Sequence, residues 1–120
     1  MKYIYPAIFN WDEASKTYSV KFPDMENCFT FGYTLPEAID YAADVLNLML
    51  WDAEECGDYI PKASKLEDIK LENKNSFAQY VYADTERYKE LLQLRKILDI
   101  KKRKKAKKFV RAHKRTGVSL

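Results

Sequence analysis

Residues 101–120 hold ten Lys or Arg (Lys101, Lys102, Arg103, Lys104, Lys105, Lys107, Lys108, Arg111, Lys114 and Arg115) and no Asp or Glu. Such a run exceeds an ordinary solvated face, and it sets the tail apart from the first 100 residues. These carry 21 − 10 = 11 basic and all 18 acidic groups, a net −7 hidden beneath the +3 of the whole chain. An acidic body joined to a basic tail implies two different partners, or one partner whose surface also changes sign.

The body can fold unaided. A chain of 120 residues is one domain with room for an appended arm, and 47% hydrophobic content supports a core without disulfides or metals. The apolar runs fall far short of the roughly 18 residues of a membrane span. Met1-Lys2-Tyr3-Ile4-Tyr5-Pro6 lacks signal-peptide architecture, so a cytoplasmic protein is expected, with no membrane contact. Cys28 and Cys56 follow no metal spacing and read as free thiols, both small buried hydrophobes. A single histidine, His113, argues against a Ser-His-Asp triad or a His-rich metal site; among lysines it suits a phosphate contact.

Strand signals occupy residues 3–9, 17–22, 28–31 and 77–83. Pro6 cannot donate to a ladder, so the first strand should lie at an edge or expose that position. Asn10–Lys16 reads as a hairpin loop. Tyr18, Val20 and Phe22 alternate with Thr17, Ser19 and Lys21, the mark of a half-buried antiparallel strand. Thr34 with Glu37 three residues on is a capping-box pattern, and Pro36 suits a first helical turn. Ile39, Ala42, Ala43, Leu46, Met49, Leu50 and Ala53 follow at helical spacing, and Gly57 is a fitting C-terminal cap. From Lys62 to Thr116 there is no Gly or Pro, and after Asp84-Thr85 the stripe Tyr88, Leu91, Leu92, Leu94 and Leu98 predicts either one helix from about 86 to 116 or two with a break near Asp99–Lys102. The expected fold is α+β: a three-to-four-stranded antiparallel sheet with one packed helix over 1–84, then a long basic helix over 85–120.

These residues resemble the HicB-like antitoxin family. The matching text is Tyr5-Pro6-Ala7-Ile8-Phe9, Tyr18-Ser19-Val20-Lys21-Phe22-Pro23-Asp24, Cys28-Phe29-Thr30-Phe31-Gly32, Thr34-Leu35-Pro36-Glu37-Ala38, Ile60-Pro61-Lys62-Ala63-Ser64 and Tyr82-Ala83-Asp84. The resemblance implies a partial ribonuclease H-like fold without its activity and, as partner, a small basic RNA-cleaving toxin of the HicA type. Family members usually bind their own operator through a C-terminal ribbon-helix-helix or helix-turn-helix. No counterpart of that unit follows residue 90 here, so the resemblance carries toxin binding further than operator recognition.

Physical chemistry weighs each feature separately. Phe22-Pro23-Asp24 is first a strand end, with Phe as anchor, Pro blocking the ladder and Asp capping the turn; its functional reading places Pro23, Asp24, Glu26 and Phe29 on a partner surface. A two-metal nuclease needs clustered acids, and the strand Tyr3–Phe9 has none, while Asp24, Asp84 and Glu37 sit at turns and caps. No enzyme, catalytic residue, metal or cofactor is therefore expected. The ten-cation tail contains like charges at i,i+4, such as Lys101 and Lys105, which destabilise a helix unless phosphates or an acidic surface offset them. DNA or RNA bound without base readout is the most economical offset; an acidic protein surface or a solvated extension is the alternative. Tyr88, Leu91, Leu92, Leu94 and Leu98 read as core or as the seam of a homodimer or higher oligomer. The first reading is thus a toxin-neutralising antitoxin. The alternative is a solitary nucleic-acid-binding protein, and a metal-dependent nuclease is a formal third.

Overall fold

The structure is a computed structural model that describes the backbone of residues 1–115 and the side chains of residues 1–105. Its elements are β1 (Lys2–Asp12), β2 (Thr17–Lys21), β3 (Phe29–Gly32), α1 (Leu35–Cys56), a single 3-10 turn (Leu66–Asp68), β4 (Ser76–Asp84) and α2 (Thr85–Arg115). The four strands form one antiparallel sheet in the order β3-β2-β1-β4, and the fold is α+β. The chain divides into two compact units, Met1–Tyr88 and Lys89–Leu120. Helical backbone runs through Asp99–Lys102 without a break.

The first hairpin is tighter than the expected Asn10–Lys16 loop. Its ladder continues to Asp12↔Thr17, leaving residues 13–16 as the turn. Trp11 and Tyr18 are directly opposed, with ring centroids 4.7 Å apart, and this aromatic pair extends the strands. Lys16 takes the left-handed conformation (φ 56°), and the Ala14 amide donates to Asp12 Oδ1 at 3.0 Å, which closes the turn.

Pro6 sits in an inner strand, not at an edge, and it is buried. The register explains how this is tolerated. β1 pairs with β4 over Lys2–Asn10 but with β2 only from Ile8 onward. Pro6 therefore has a ladder neighbour on one side alone, and its missing N–H interrupts no bond to β2.

Thr34 caps α1, its Oγ1 accepting the Glu37 amide at 3.3 Å, and Gly57 ends the helix in the left-handed region (φ 68°). The buried stripe is Ala38, Ala42, Leu46 and Leu50, and it lies on Tyr5, Ala7, Phe9, Val20, Phe22, Val81 and Ala83. Against expectation Ile39 is exposed and Ala38 takes its place in the core. Gly32 permits the close approach at Ala38: a Cβ there would stand 2.6 Å from the Ala38 nitrogen, so β3 and the first turn of α1 meet backbone to backbone. Only small residues fit such an approach.

Gly32→Ala is expected to cost about 1–3 kcal/mol, the range for overpacking a close-packed site, because the clash is with backbone that cannot swing aside. Equilibrium denaturation in urea measures it, with an unchanged slope marking a loss confined to the native state.

Candidate partner-binding site

Phe22 is buried, and its amide donates to the Cys28 carbonyl at 3.1 Å, tying the two ends of the 23–27 loop together. Asn27 adopts φ 58° to make the return. The Met25 amide is satisfied by the Phe22 carbonyl at 3.1 Å, so the turn needs no side-chain cap. Asp24, expected to cap that turn, reaches elsewhere. Its two carboxylate oxygens accept from the Ser64 amide at 2.9 Å and the Ser64 hydroxyl at 2.5 Å. Beside them the Tyr5 hydroxyl donates to the Pro61 carbonyl, and burial, with Asp24 and Tyr59 adding, pushes the Tyr5 phenol up. Three sequence motifs, around Tyr5-Pro6, Phe22-Pro23-Asp24 and Ile60–Ser64, thus close on one another.

This clamp shapes an acidic groove of about 580 Å³ between the 24–27 loop and the C-terminal end of α1. Asp24, Glu26, Asp52 and Asp58 line it, together with Met25 and Met49, and no Lys or Arg does. The last turn of α1 carries no basic residue, so the negative end of its helix dipole adds to the same potential. Cys56 reports that potential. Its thiol is pushed up chiefly by the Asp52 carboxylate, then by loss of solvent and by Asp58 and Glu55. Ligand atoms of Asp52, Cys56 and Asp58 lie within 4.8 Å of one another, all three residues exposed. Cys56 is therefore not the buried hydrophobe expected, because it lies off the Ala38–Leu50 stripe. Cys28 is buried as expected, and burial pushes its thiol up to about 11.

Of the residues read as a partner surface, Asp24 and Glu26 line the groove and Pro23 is exposed beside them. Phe29 is not with them. It pairs with Lys21 on the sheet face away from α1, 67% exposed, at a smaller cavity of about 220 Å³ that Ile8 and Asn10 also line. Asp52 and Asp58 are not among the residues the sequence marks as a partner surface, and Ser64 enters there only within the Ile60–Ser64 motif. The signal for the first two was present: Asp52, Glu54, Glu55 and Asp58 crowd a helix end with no base between them.

In the second unit Lys101, Lys102, Arg103, Lys104 and Lys105 are exposed. Lys107, Lys108, Arg111, Lys114, Arg115 and His113 lie outside the described side chains. Leu91, Leu94 and Leu98 are about half exposed and Leu92 less so; Tyr88, in the first unit, lies against Trp51 with ring centroids 6.2 Å apart.

The first strand does contain one acid, Asp12 at its last position, beyond the span expected from sequence. Asp12 caps its own turn, and Asp84 accepts the Arg87 amide at 3.3 Å at the start of α2. Asp84 pairs with Lys2, ten residues before Asp12 on the same strand, so the two carboxylates are roughly 33 Å apart and cannot share a metal pair.

A profile of HicB-like antitoxins of bacterial toxin–antitoxin systems matches residues 5–105. The chain belongs to the HicB-like antitoxin family. The match extends into α2, beyond Asp84, where the last of the resembling motifs ends. Among solved structures, a toxin–antitoxin complex from Streptococcus pneumoniae is similar at 25% identity over 73% of each chain, with a TM-score of 0.66. The N-terminal domain of the Burkholderia pseudomallei antitoxin HicB shares the fold at 21% identity over 66% of this chain and 95% of that one, with a TM-score of 0.57. A HicA3 and HicB3 toxin–antitoxin complex does so at 21% identity over 68% and 99%, with a TM-score of 0.55. No curated protein sequence matches the chain. No helix among the described residues is long and apolar enough to cross a membrane.

Ser64→Ala removes one of the two donors on the Asp24 carboxylate, a part-buried charged hydrogen bond. The expected loss is about 2 kcal/mol of stability, read by thermal or urea unfolding. The same change should raise proteolytic cutting within 60–65, because the clamp holds that segment to the body.

Proposed function

We propose that this HicB-like antitoxin acts in the cytoplasm, without enzymatic activity, by binding and blocking a small basic RNA-cleaving toxin of the HicA type through its acidic groove. The observation that carries the reading is the lining itself: four carboxylates and no cation at the negative end of a helix. An RNA-cleaving protein holds phosphates with Lys and Arg. A fixed array of carboxylates offers those cations the same charge and competes with RNA for them. The net −7 of residues 1–100 extends the field and speeds the encounter. The solved complexes with similar folds support the assignment of a toxin partner.

A tagged full-length chain, drawn from its native host after nuclease treatment, should retain a stoichiometric small basic protein through about 0.5 M salt. The double reversal Asp52→Lys with Asp58→Lys should weaken that association at least tenfold while leaving the unfolding curve near wild type, since both side chains are exposed. Asp24 is left intact because it holds Ser64. Recovery of nucleic acid alone, lost on adding salt, would leave the solitary nucleic-acid binder as the better reading.

The cations of α2 supply a second activity, sequence-independent binding to nucleic acid. If about six phosphates are neutralised on duplex DNA, affinity should fall by roughly three powers of ten between 50 and 200 mM salt. Fluorescence anisotropy on two unrelated duplexes of equal length measures this, and the two curves should coincide.

A further inference from the structure

The sheet face opposite α1 carries a cavity of about 220 Å³ that shares no lining residue with the acidic groove. The register sets two rows across that face: Ala78, Ile8, Lys21 and Phe29, and next to it Ser76, Asn10, Ser19 and Phe31. The chain leading into β4 closes back on these rows. The Trp11 amide donates to the Asn75 carbonyl at 3.2 Å, and Lys21 Nζ lies 3.8 Å from a Glu72 carboxylate oxygen. Ile8, Asn10, Lys21, Phe29, Glu72 and Asn73 all line the space. It is smaller than the roughly 300 Å³ at which pockets for drug-sized molecules begin, and it suits a single planar ring.

The polar lining has a definite sense. The Ser76 hydroxyl lies 2.7 Å from Asn10 Oδ1 and 3.0 Å from Asn73 Oδ1, and the Asn75 amide donates to Asn73 Oδ1 at 2.9 Å. Both carboxamide oxygens are thereby engaged, which fixes the two amides. Neither Asn10 Nδ2 nor Asn73 Nδ2 has an acceptor among the described residues, so each keeps two N–H donors to offer. Glu72 adds one acceptor. Its ion pair with Lys21 is long and solvent-exposed, so a ligand can exchange with it at little cost. The Phe29 ring, 67% exposed, presents an open face on which a planar base can stack.

Two NH2 donors with one carboxylate between charge partners complement a particular ring edge, two carbonyl oxygens separated by an N–H. Uracil and thymine have that edge. Cytosine, adenine and guanine each carry an exocyclic amino group, which would meet a second donor here. We propose that this cavity binds a uracil-type base. The ring stacks on Phe29, its carbonyls accept from Asn10 Nδ2 and Asn73 Nδ2, and its N–H donates to Glu72. The base comes either from a free nucleoside or from a single strand of nucleic acid. The site is independent of the toxin-binding groove.

Uridine has no phosphate for the cations of α2, so titrating it into the 15N-labelled full-length chain isolates the cavity. NMR should show saturable shifts at the amides of Ile8, Lys21, Phe29 and Asn73 and at the side-chain NH2 signals of Asn10 and Asn73. A single ring in a small open cavity gives a dissociation constant on the order of 1 mM. Cytidine and adenosine should bind at least tenfold more weakly. Phe29→Leu and Asn73→Asp should each cost at least tenfold, whereas Phe29→Tyr, which keeps the ring, should bind like the unsubstituted chain. All three should unfold near wild type, since Phe29 is exposed and an aspartate keeps the acceptor for the Asn75 amide. A short oligouridylate at 0.5 M salt, where phosphate contacts fade, separates the two sources. Tighter binding than uridine at the same residues means a strand, and equal or weaker binding means a nucleoside. No saturable shift with uridine, equal binding of all three nucleosides, or undiminished binding by Phe29→Leu and Asn73→Asp would overturn the proposal.

Discussion

The contact between Gly32 and Ala38 governs the body of this protein. Where a Cβ would stand 2.6 Å from a backbone nitrogen, β3 and α1 can touch only because one partner has no side chain. The contact falls at the start of the stripe Ala38, Ala42, Leu46 and Leu50, which turns inward. Ala7 and Ala83 on the sheet are equally small and fully buried, and they let the helix lie close along its length. With one end of α1 seated at Gly32, its other end is delivered to the 24–27 loop. There the Asp24–Ser64 clamp and the end of α1 together form the acidic groove.

Charge is divided along the chain as sharply as hydrophobicity is divided across it. Acids gather where a helix ends, beside a loop whose own acid is held by Ser64. Like charges at such density oppose folding, and the Asp52 carboxylate first among them pushes the Cys56 thiol up. Four carboxylates thus line one groove with no Lys or Arg among its lining residues.

Much of the fold was legible in local pattern. Thr34, Glu37 and Gly57 mark the ends of α1 because caps answer to orphan amides and carbonyls within one turn. The alternation of Tyr18, Val20 and Phe22 gave a strand because one face is wet and one dry. Pro6 misled because the edge rule concerns a missing neighbour on one side, and an inner strand with a short partner meets the same condition. From sequence Asp12 reads as loop because its polar neighbours hide the Trp11–Tyr18 pair that extends the ladder.

The candidate site was legible only in part. Asp24 and Glu26 were found through their motif, whereas Asp52 and Asp58 look like ordinary solvated acids until α1 is set beside the 24–27 loop. Phe29 lies close to Asp24 in sequence, yet the pleat of β3 sends it to the other face of the sheet. By itself the sequence determined the family, the element order, the caps and the segregation of charge, since each depends on residues within a turn or a strand of one another. Tertiary structure alone decided which acids share a groove and that Asp24 is bound to Ser64 forty residues away. Those facts rest on contacts between residues tens of positions apart, distances no local pattern encodes.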